Sequence, residues 1–254
     1  MNKGSISSFS EPFNRLIEKE RLVWRANKYR DKEDKGGIAY ILRVIKRGDT
    51  VMDIGAHKGG YLYFMQHQTG INGKVVAFEP QSILYNYLLG LKKLLKWSNV
   101  VVEPFAISGK VGNAVLYIPQ NHGKPTSPAA TILPTVKGVV IQKQENVVAL
   151  TLDAYCKRFD KNPVFLKIDV EGNELPIFKG AEILLKKNKP KILFECEARH
   201  VGEERVKETF YFLKQLGYKG YFINEEQLLP LCQFNIVDFQ DPRKKIYCNN
   251  FLFE

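Results

Sequence analysis

The chain has 254 residues, a formal net charge of +11 and four cysteines. This length can bury a large core, and no linker, repeat or change of composition divides the chain. No apolar run is long enough to span a bilayer, and the first residues lack the hydrophobic segment of a secretory signal. We therefore expect a cytoplasmic protein whose cysteines, widely spaced and without a C-x-x-C pair, are buried free thiols: Cys156, Cys196, Cys232 and Cys248.

Residues 1–37 are predicted to form a helical extension, and residues 38–254 a single domain. One face of the predicted helix carries apolar side chains, and basic side chains project more broadly. Such a helix can lie on a membrane or on a partner, or it can pack on its own domain and cover the ligand site. The few turns available favour the second alternative. The apolar residues are Phe9, Phe13, Leu16, Ile17, Val23 and Trp24, and the basic ones Arg15, Lys19, Arg21, Arg25 and Lys28.

Residues 51–61, VMDIGAHKGGY, predict a buried strand, a sharp turn and the start of a helix. Gly55 permits backbone angles that other residues avoid, and the small Ala56 and Gly59 let a ligand approach the main chain. The free amides of the helix start can bind a carboxylate or a phosphate. A glycine turn of this kind also occurs for purely geometric reasons, so the interpretation depends on the rest of the chain.

A second predicted strand, 74–78, ends in Glu79 and Pro80, twenty-six positions after Asp53. An acid at this point can bind both ribose hydroxyls of an adenosine. Further strands are predicted at 100–102, 164–168, 191–194, 218–223 and 246–253, with Cys196 and Cys248 assigned to strands. Segments with helical spacing, such as 84–95 and 177–185, lie between them. This alternation predicts an α/β fold with a doubly wound, mostly parallel sheet.

Acidic residues follow several of these strands, and the carboxyl ends of parallel strands meet at one edge of a sheet. They are Asp53, Glu79, Asp169, Glu171, Glu195 and Glu197. An acidic rim repels the diphosphate of a dinucleotide, and the turn G-A-H-K-G-G departs from the G-x-G-x-x-G pattern. The sulfonium and ammonium of S-adenosylmethionine would instead be attracted. We therefore expect this methyl donor rather than a nicotinamide cofactor.

The segments DIGAHKGGY, VVAFEP, FLKIDVEGNELPIFKGAEILL and ILFECE resemble the FkbM-type S-adenosylmethionine-dependent methyltransferases, over roughly residues 38–254. The resemblance implies a class I methyltransferase fold, with a seven-stranded Rossmann-like sheet and an antiparallel pair near the carboxyl end. It also implies that Asp53, Gly55 and Gly59 line the methionine part of the cofactor and that Glu79 binds the ribose. Ala106 would lie near the adenine, and Asp169 beside the reacting methyl. With them, Ala56 and Pro80 complete the predicted cofactor site.

Residues 119–148 contain several prolines and glycines and are predicted to form a long loop beside the acceptor site. His122, Thr126, Ser127 and Thr131 are possible acceptor contacts within it.

Asp169 and Glu171 are the first candidates for a catalytic base, followed by Glu195, Glu197 and His200. Glu171 could equally cap the helix that begins near Asn173. We expect His57 to pack locally rather than to act as a base. A divalent ion held by Asp169, Glu171 and another acid would suit a diol acceptor, but the ligand pattern is incomplete, so no metal is predicted.

The sequence thus predicts a methyltransferase acting on a small-molecule or sugar-containing acceptor, and the family resemblance alone favours oxygen over nitrogen. The net charge and aromatic content leave a nucleic-acid methyltransferase as an alternative, although the dispersed lysines favour a solvated surface. A second alternative is a catalytically silent binding module of the same fold.

Overall fold

The computed structural model describes residues 10–133 and 140–254. Its strands, in chain order, are β1 (Thr50–Ile54), β2 (Lys74–Phe78), β3 (Val100–Glu103), β4 (Ala106–Ile107), β5 (Gly112–Pro119), β6 (Ile141–Leu150), β7 (Phe165–Ile168), β8 (Lys191–Glu195), β9 (Gly220–Asn224), β10 (Gln227–Pro230) and β11 (Asn250–Phe253).

The helices, in chain order, are α1 (Ser10–Lys28), α2 (Lys35–Val44), α3 (Gly60–Thr69), α4 (Ser82–Leu94), α5 (Leu152–Phe159), α6 (Glu174–Lys179), α7 (Glu182–Asn188), α8 (Ala198–Val201), α9 (Glu203–Gln215) and α10 (Ile236–Phe239). A π-helical turn, Tyr29–Glu33, joins α1 to α2, and a 3-10 turn, Leu231–Gln233, follows β10. No helix in the described ranges is both long enough and apolar enough to cross a membrane.

The main sheet has eight strands in the order β10-β9-β11-β8-β7-β1-β2-β3. The pairs from β8 to β3 are parallel, whereas β11 runs antiparallel to both β8 and β9. The predicted α/β architecture with a mostly parallel sheet is therefore confirmed. The strand number is eight rather than seven, because β10 adds an antiparallel edge strand to β9.

Successive residues of the central strands enter two different cores. Met52, Ile54 and Phe78 belong to a cluster on one face of the sheet, and Val51 and Ala77 to a cluster on the other. Both faces are covered by helices, which is why these strands are continuously apolar. The sheet is thereby fixed as a rigid support for the loops at its carboxyl edge.

A second, three-stranded sheet in the order β4-β6-β5 stands beside the first. It corrects the predicted loop over residues 119–148, because Ile141–Leu150 forms β6 and pairs with β5. Alternation along β6 buries Val147 and Ala149 and exposes Val148, which is the pattern of a half-buried strand. The irregular part that the structure describes is residues 120–133, and residues 134–139 of the predicted loop lie outside the described residues.

The extension packs on the main domain, through contacts of α1 with α3 and α4. Of the α1 side chains whose burial the structure describes, Leu22 and Ala26 are buried. Leu16 and Trp24 are exposed and Ile17 and Val23 half-buried, so the predicted apolar face is wrong in part. Leu22 and Ala26 lie one helical turn apart and meet the core, while Phe9 lies outside the described residues. The predicted boundary between residues 37 and 38 falls within α2, and the division into two parts stays a prediction.

Two local expectations also need correction. The helical spacing over residues 177–185 belongs to two short helices, α6 and α7, separated at Gly180, where a Cβ would lie 2.6 Å from the carbonyl oxygen of Ser108.

All four cysteines are free, but Cys232 is exposed and Cys156 half-buried. Cys196 and Cys248 are buried just outside β8 and β11 rather than within them.

Candidate active site

Acidic side chains gather where the parallel strands end, as the sequence predicts. Asp53 lies near the end of β1 and pairs in register with Ala77 of β2 and Lys167 of β7. Glu79 follows β2 directly, and Asp169 follows β7. This edge of the sheet is where open α/β folds bind their ligands.

The turn after β1 is held tightly against its neighbours. Gly55 has a φ of +84°, and its N–H donates to the carbonyl oxygen of Phe78 at 3.0 Å. A Cβ at this position would lie 1.9 Å from the carbonyl oxygen of Asp169. Glycine is therefore required here both by the backbone angles and by the close approach of the loop after β7.

A first pocket, here the Glu79 pocket, encloses about 540 Å³ including space open to solvent. Predicted residues Pro80 and Ala106 line it, together with Phe105 and Ile107. Glu79 is buried, and its two carboxyl oxygens accept the N–H groups of His57 at 2.8 Å and Gln81 at 2.9 Å. Burial raises the pKa of Glu79 to about 7. Its remaining lone pairs can accept two hydroxyl groups of a ligand.

A second pocket, here the Asp53 pocket, encloses about 550 Å³ on the same basis. Ala56, Tyr61 and Glu171 line it, and it shares Gly55, His57, Pro128 and Asp169 with the Glu79 pocket. The two pockets therefore adjoin. Asp169 lies on the wall of both.

Asp53 is 2% exposed, and its Oδ2 atom has no hydrogen-bond partner within the described parts of the chain. Burial raises the pKa of this carboxyl to about 7. An unpaired buried carboxyl oxygen is costly unless a ligand supplies a donor. The site thus has a place for a cationic or hydrogen-bonding group beside β1.

Lys167 is a buried cation that the sequence reasoning did not single out. Its Nζ lies 3.8 Å from Oδ2 of Asp169 and 4.8 Å from the centre of the Tyr61 ring. Burial lowers its pKa, but Asp169, Glu195, Asp34 and Asp53 together raise the pKa above its usual value. The lysine therefore stays charged and balances the acids beneath the pocket. A lysine inside the apolar run FLKI is the signal that could have identified it.

Glu171 pairs with His200 rather than capping a helix. Its Oε2 lies 2.9 Å from Nδ1 of His200, and its φ is +56°. The capping alternative is wrong, because α6 begins at Glu174, whose own Oε1 accepts the N–H of Gly172 at 3.0 Å. The hydrogen bond that His200 donates to Glu171 raises the pKa of His200 above its ordinary value.

The other acids of the edge have partners within the chain. Glu197 is buried, lies 2.7 Å from the guanidinium of Arg199, and accepts the hydroxyl of Tyr247. Burial opposes ionisation of Glu197, but these groups and the carboxyl of Glu195 lower its pKa. Burial raises the pKa of Glu195 well above its usual range. Within the described ranges, no group of three or more His, Cys, Asp or Glu residues has the arrangement of a metal site.

Not every predicted site residue lines the pockets. Gly59 has a φ of +76° and precedes α3, where a Cβ would meet Leu88 at 3.2 Å, so it shapes the turn from behind. His57 lines both pockets, and burial lowers its pKa to about 4, so the imidazole is neutral at pH 7. His122 is exposed, whereas Thr131 faces the Glu79 pocket.

A sequence model of the methyltransferase FkbM domain matches residues 53–219. The chain belongs to the FkbM methyltransferase family. FkbM methyltransferases use S-adenosylmethionine. No curated protein shows significant sequence similarity to the chain.

A solved FkbM methyltransferase from Methylobacillus flagellatus KT aligns with a TM-score of 0.53 and 18% identity, over 82% of this chain. The chain spans 44% of that protein's length. An O-methyltransferase from Bacillus cereus in complex with SAH aligns with a TM-score of 0.48 and 13% identity, over 93% of this chain and 88% of that chain. The likeness to the Methylobacillus flagellatus protein, at 18% identity, concerns the fold alone.

The residues present fit the cofactor of the FkbM family. The unpartnered Oδ2 of Asp53 calls for a cationic donor, and S-adenosylmethionine carries an ammonium. Glu79 keeps free lone pairs toward a pocket whose walls are largely apolar, as a ribose joined to an adenine requires.

Proposed function

We propose that this FkbM-family protein transfers a methyl group from S-adenosylmethionine to a hydroxyl oxygen of a small-molecule or sugar-containing acceptor. The observation that carries the proposal is the meeting of two pockets at Asp169, one beside Glu79 and one beside Asp53 and Glu171. A bipartite cofactor can occupy both, with its reactive centre near the shared wall.

In this arrangement Glu79 accepts the ribose hydroxyls, and Ala106 and Phe105 flank the adenine. Asp53 holds the ammonium, and Asp169 stands beside the methyl group. Bound S-adenosylmethionine supplies an electrophilic methyl on a sulfonium. The protein contributes alignment of the acceptor oxygen with that methyl and exclusion of water.

An acceptor hydroxyl must lose its proton as it attacks, and the candidate bases Asp169 and Glu171 both line the Asp53 pocket. Glu171 is favoured, because a second proton-accepting group, His200, lies beside it. His200 donates a hydrogen bond to Glu171 and so fixes the orientation of the carboxylate. The pair can hold the released proton. A built-in proton acceptor supports transfer to oxygen, because a hydroxyl is a poor nucleophile until it is deprotonated.

The surface charge supports a small acceptor over a nucleic acid. Many lysines lie within 4.0 Å of a carboxylate, including Lys143 with Glu145 and Lys179 with Glu208. Each such pair neutralises one lysine, and the lysines are dispersed along the sequence rather than collected in one run. A nucleic-acid groove needs a continuous basic surface with free cations.

The decisive experiment is calorimetric titration of the purified protein with S-adenosylmethionine, S-adenosylhomocysteine and NAD. We expect micromolar binding of the two adenosyl compounds and a loss of about tenfold or more with Glu79→Ala or Glu79→Gln. Glu145→Gln is the matched control, because Glu145 also accepts an amide of the same segment, from Ser82 at 2.9 Å, but does not line the pocket. Binding of NAD alone, or of nothing, would overturn the proposal.

The acceptor is then sought by mass spectrometry among hydroxyl-bearing and amine-bearing small molecules, with formation of S-adenosylhomocysteine as the readout. Methylation of amines alone would overturn the assignment to oxygen. Steeply salt-dependent binding to oligonucleotides, with methylation of them, would instead support the nucleic-acid alternative. Binding of the cofactor without turnover of any acceptor would favour the silent module.

A further inference from the structure

We infer that Arg25, on the N-terminal helix α1, binds the carboxylate of the cofactor's methionine part, opposite an ammonium held by Asp53. This inference rests on the proposed function. Arg25 lies outside the segment matched by the family model, residues 53–219. The inference therefore gives the N-terminal extension of this chain a role in binding the cofactor.

The guanidinium of Arg25 is fixed at the edge of the Asp53 pocket. Its Nη1 donates to the carbonyl oxygen of Lys58 at 2.8 Å, and the group stands 5.9 Å from the centre of the Tyr87 ring. Arg25 itself lines the pocket. These contacts hold a long side chain in one place, which lowers the entropic cost of binding a ligand.

Arg25 has donors to spare. A guanidinium carries five N–H donors. Within the described residues, Arg25 uses only Nη1, which donates to the carbonyl oxygen of Lys58 and lies 3.5 Å from the hydroxyl of Tyr87. Within the part of the chain that the structure describes, no carboxylate lies within 4.0 Å of this group. A half-buried arginine with free donors on a pocket wall is suited to a planar, bidentate anion.

The surroundings match the two charges of an amino acid. Asp53, buried and with its Oδ2 unpartnered, lines the same pocket as Arg25 and offers a place for a cation. On the side of Arg25, Lys58 adds a second positive charge, and α3 begins at Gly60 with its free amides. The same pocket therefore carries an acid suited to an ammonium and cations suited to a carboxylate, the two charges of a methionine moiety.

The alternative is that Arg25 only fastens α1 to the loop at Lys58. The two roles differ in what they predict for ligands with and without a carboxylate. A fastening residue would affect all adenosyl ligands equally, because it would act by shaping the loop. A carboxylate-binding residue would affect only those ligands that carry the carboxylate.

The test is calorimetric titration of wild type, Arg25→Gln and Arg25→Lys with two ligands, S-adenosylhomocysteine and its decarboxylated analogue, which keeps the ammonium. We expect Arg25→Gln to weaken S-adenosylhomocysteine by about 10- to 100-fold and the analogue by less than about twofold. Arg25→Lys should recover part of the loss, since it keeps the charge but not the bidentate geometry. Arg21→Gln, on the same helix with an exposed side chain paired to Glu18 at 2.7 Å, is the control for lost charge.

Equal weakening of both ligands by Arg25→Gln, or no weakening of either, would overturn the inference. If Arg25→Gln does not fold, Arg25→Lys decides, because the loss of bidentate geometry should weaken S-adenosylhomocysteine more than the analogue. Failure of wild type to bind S-adenosylhomocysteine at all would instead overturn the proposed function, so the two failures are distinguishable.

Discussion

Gln81 and Ser127 exchange two hydrogen bonds at the rim of the Glu79 pocket. The Nε2 of Gln81 donates to the carbonyl oxygen of Ser127 at 2.9 Å, and the N–H of Ser127 donates to Oε1 of Gln81 at 3.1 Å. Both residues are buried. The N–H of Gln81 also donates to Glu79, so the segment 120–133 and the proposed ribose-binding carboxylate are joined through one side chain.

Replacing Gln81 by Ala should loosen this segment. Two buried backbone groups of Ser127 would lose their partners, and we expect the free energy of unfolding to fall by about 1–3 kcal/mol. Hydrogen–deuterium exchange should accelerate in residues 120–133 and stay unchanged in the central strands. Gln144→Ala, at an exposed position of β6, is the control. Unchanged exchange in residues 120–133 would show that other contacts hold the segment.

The pair Glu171–His200 should give turnover a characteristic pH dependence. The pair can accept a proton only when His200 is neutral, and Glu171 raises the pKa of His200. With an identified acceptor, kcat should therefore increase with pH, through a midpoint above the ordinary histidine value. In His200→Gln the midpoint should move to lower pH, because a carboxyl group alone then titrates.

Glu171→Gln removes the proton acceptor itself, and we expect kcat to fall by about a hundredfold to ten-thousandfold. Cofactor affinity, measured separately by calorimetry, should change little. A pH profile in His200→Gln that matches wild type would exclude the pair from the proton transfer.

Glu174 should make the stability of the protein depend on pH. It is 3% exposed, and burial raises its pKa from 4.5 to about 7. Glu174 ionises at a lower pH in the unfolded chain than in the folded chain. Its stabilisation of the folded state is therefore fully present below pH 4.5 and is lost as pH rises through about 7. The glutamine of Glu174→Gln does not titrate. Only wild type loses this stabilisation as pH rises. The free energy of unfolding of Glu174→Gln, relative to that of wild type, should therefore increase by about 2–3 kcal/mol between about pH 5 and about pH 8.

Chemical denaturation of both proteins at the two pH values provides this measurement. The comparison with Glu174→Gln cancels the contributions of all other titrating groups. A constant difference between the two proteins would mean that Glu174 titrates normally in the folded state.

Replacing Gly55 and Gly48 by alanine distinguishes the cost of backbone strain from the cost of a steric clash. Their φ angles are +84° and +90°, so alanine at either position suffers a similar backbone strain of about 1 kcal/mol. A Cβ meets nothing within 4 Å at Gly48 but lies 1.9 Å from a backbone oxygen at Gly55. We expect Gly55→Ala to cost about 3 kcal/mol more than Gly48→Ala in thermal unfolding. Equal losses would mean that the loop after β7 moves aside without cost.

The sheet and its edge could be predicted because local signals and tertiary contacts agree. The strand over 74–78 was predicted with the bounds that β2 has, since its apolar run is buried on both faces and ends at Glu79 and Pro80. The grouping of Asp53, Glu79 and Asp169 follows from the rule that parallel strands end at one edge. The family resemblance added which ligand to expect there.

Other features depend on contacts distant in sequence. Nothing local to β6 shows that it pairs with β5, and the prolines and glycines of the segment between the two strands favour a loop. The buried face of α1 is set by what α3 and α4 present to it, so Trp24, the more apolar side chain, is exposed while Ala26 is buried. Arg25, on α1, is brought to the site only by the fold.

The second sheet has a small hydrophobic core of its own, made of Ala106, Leu116, Ile118, Val147 and Ala149. The segment 120–133, which lines the proposed site, is carried between its strands β5 and β6 rather than by the parallel sheet. Mutations in this segment can therefore leave the parallel strands undisturbed, but they reach the Glu79 pocket, because Thr131 lines it and Ser127 is hydrogen-bonded to Gln81. Libraries of variants in the segment 120–133 should therefore be screened for cofactor affinity as well as for a new acceptor.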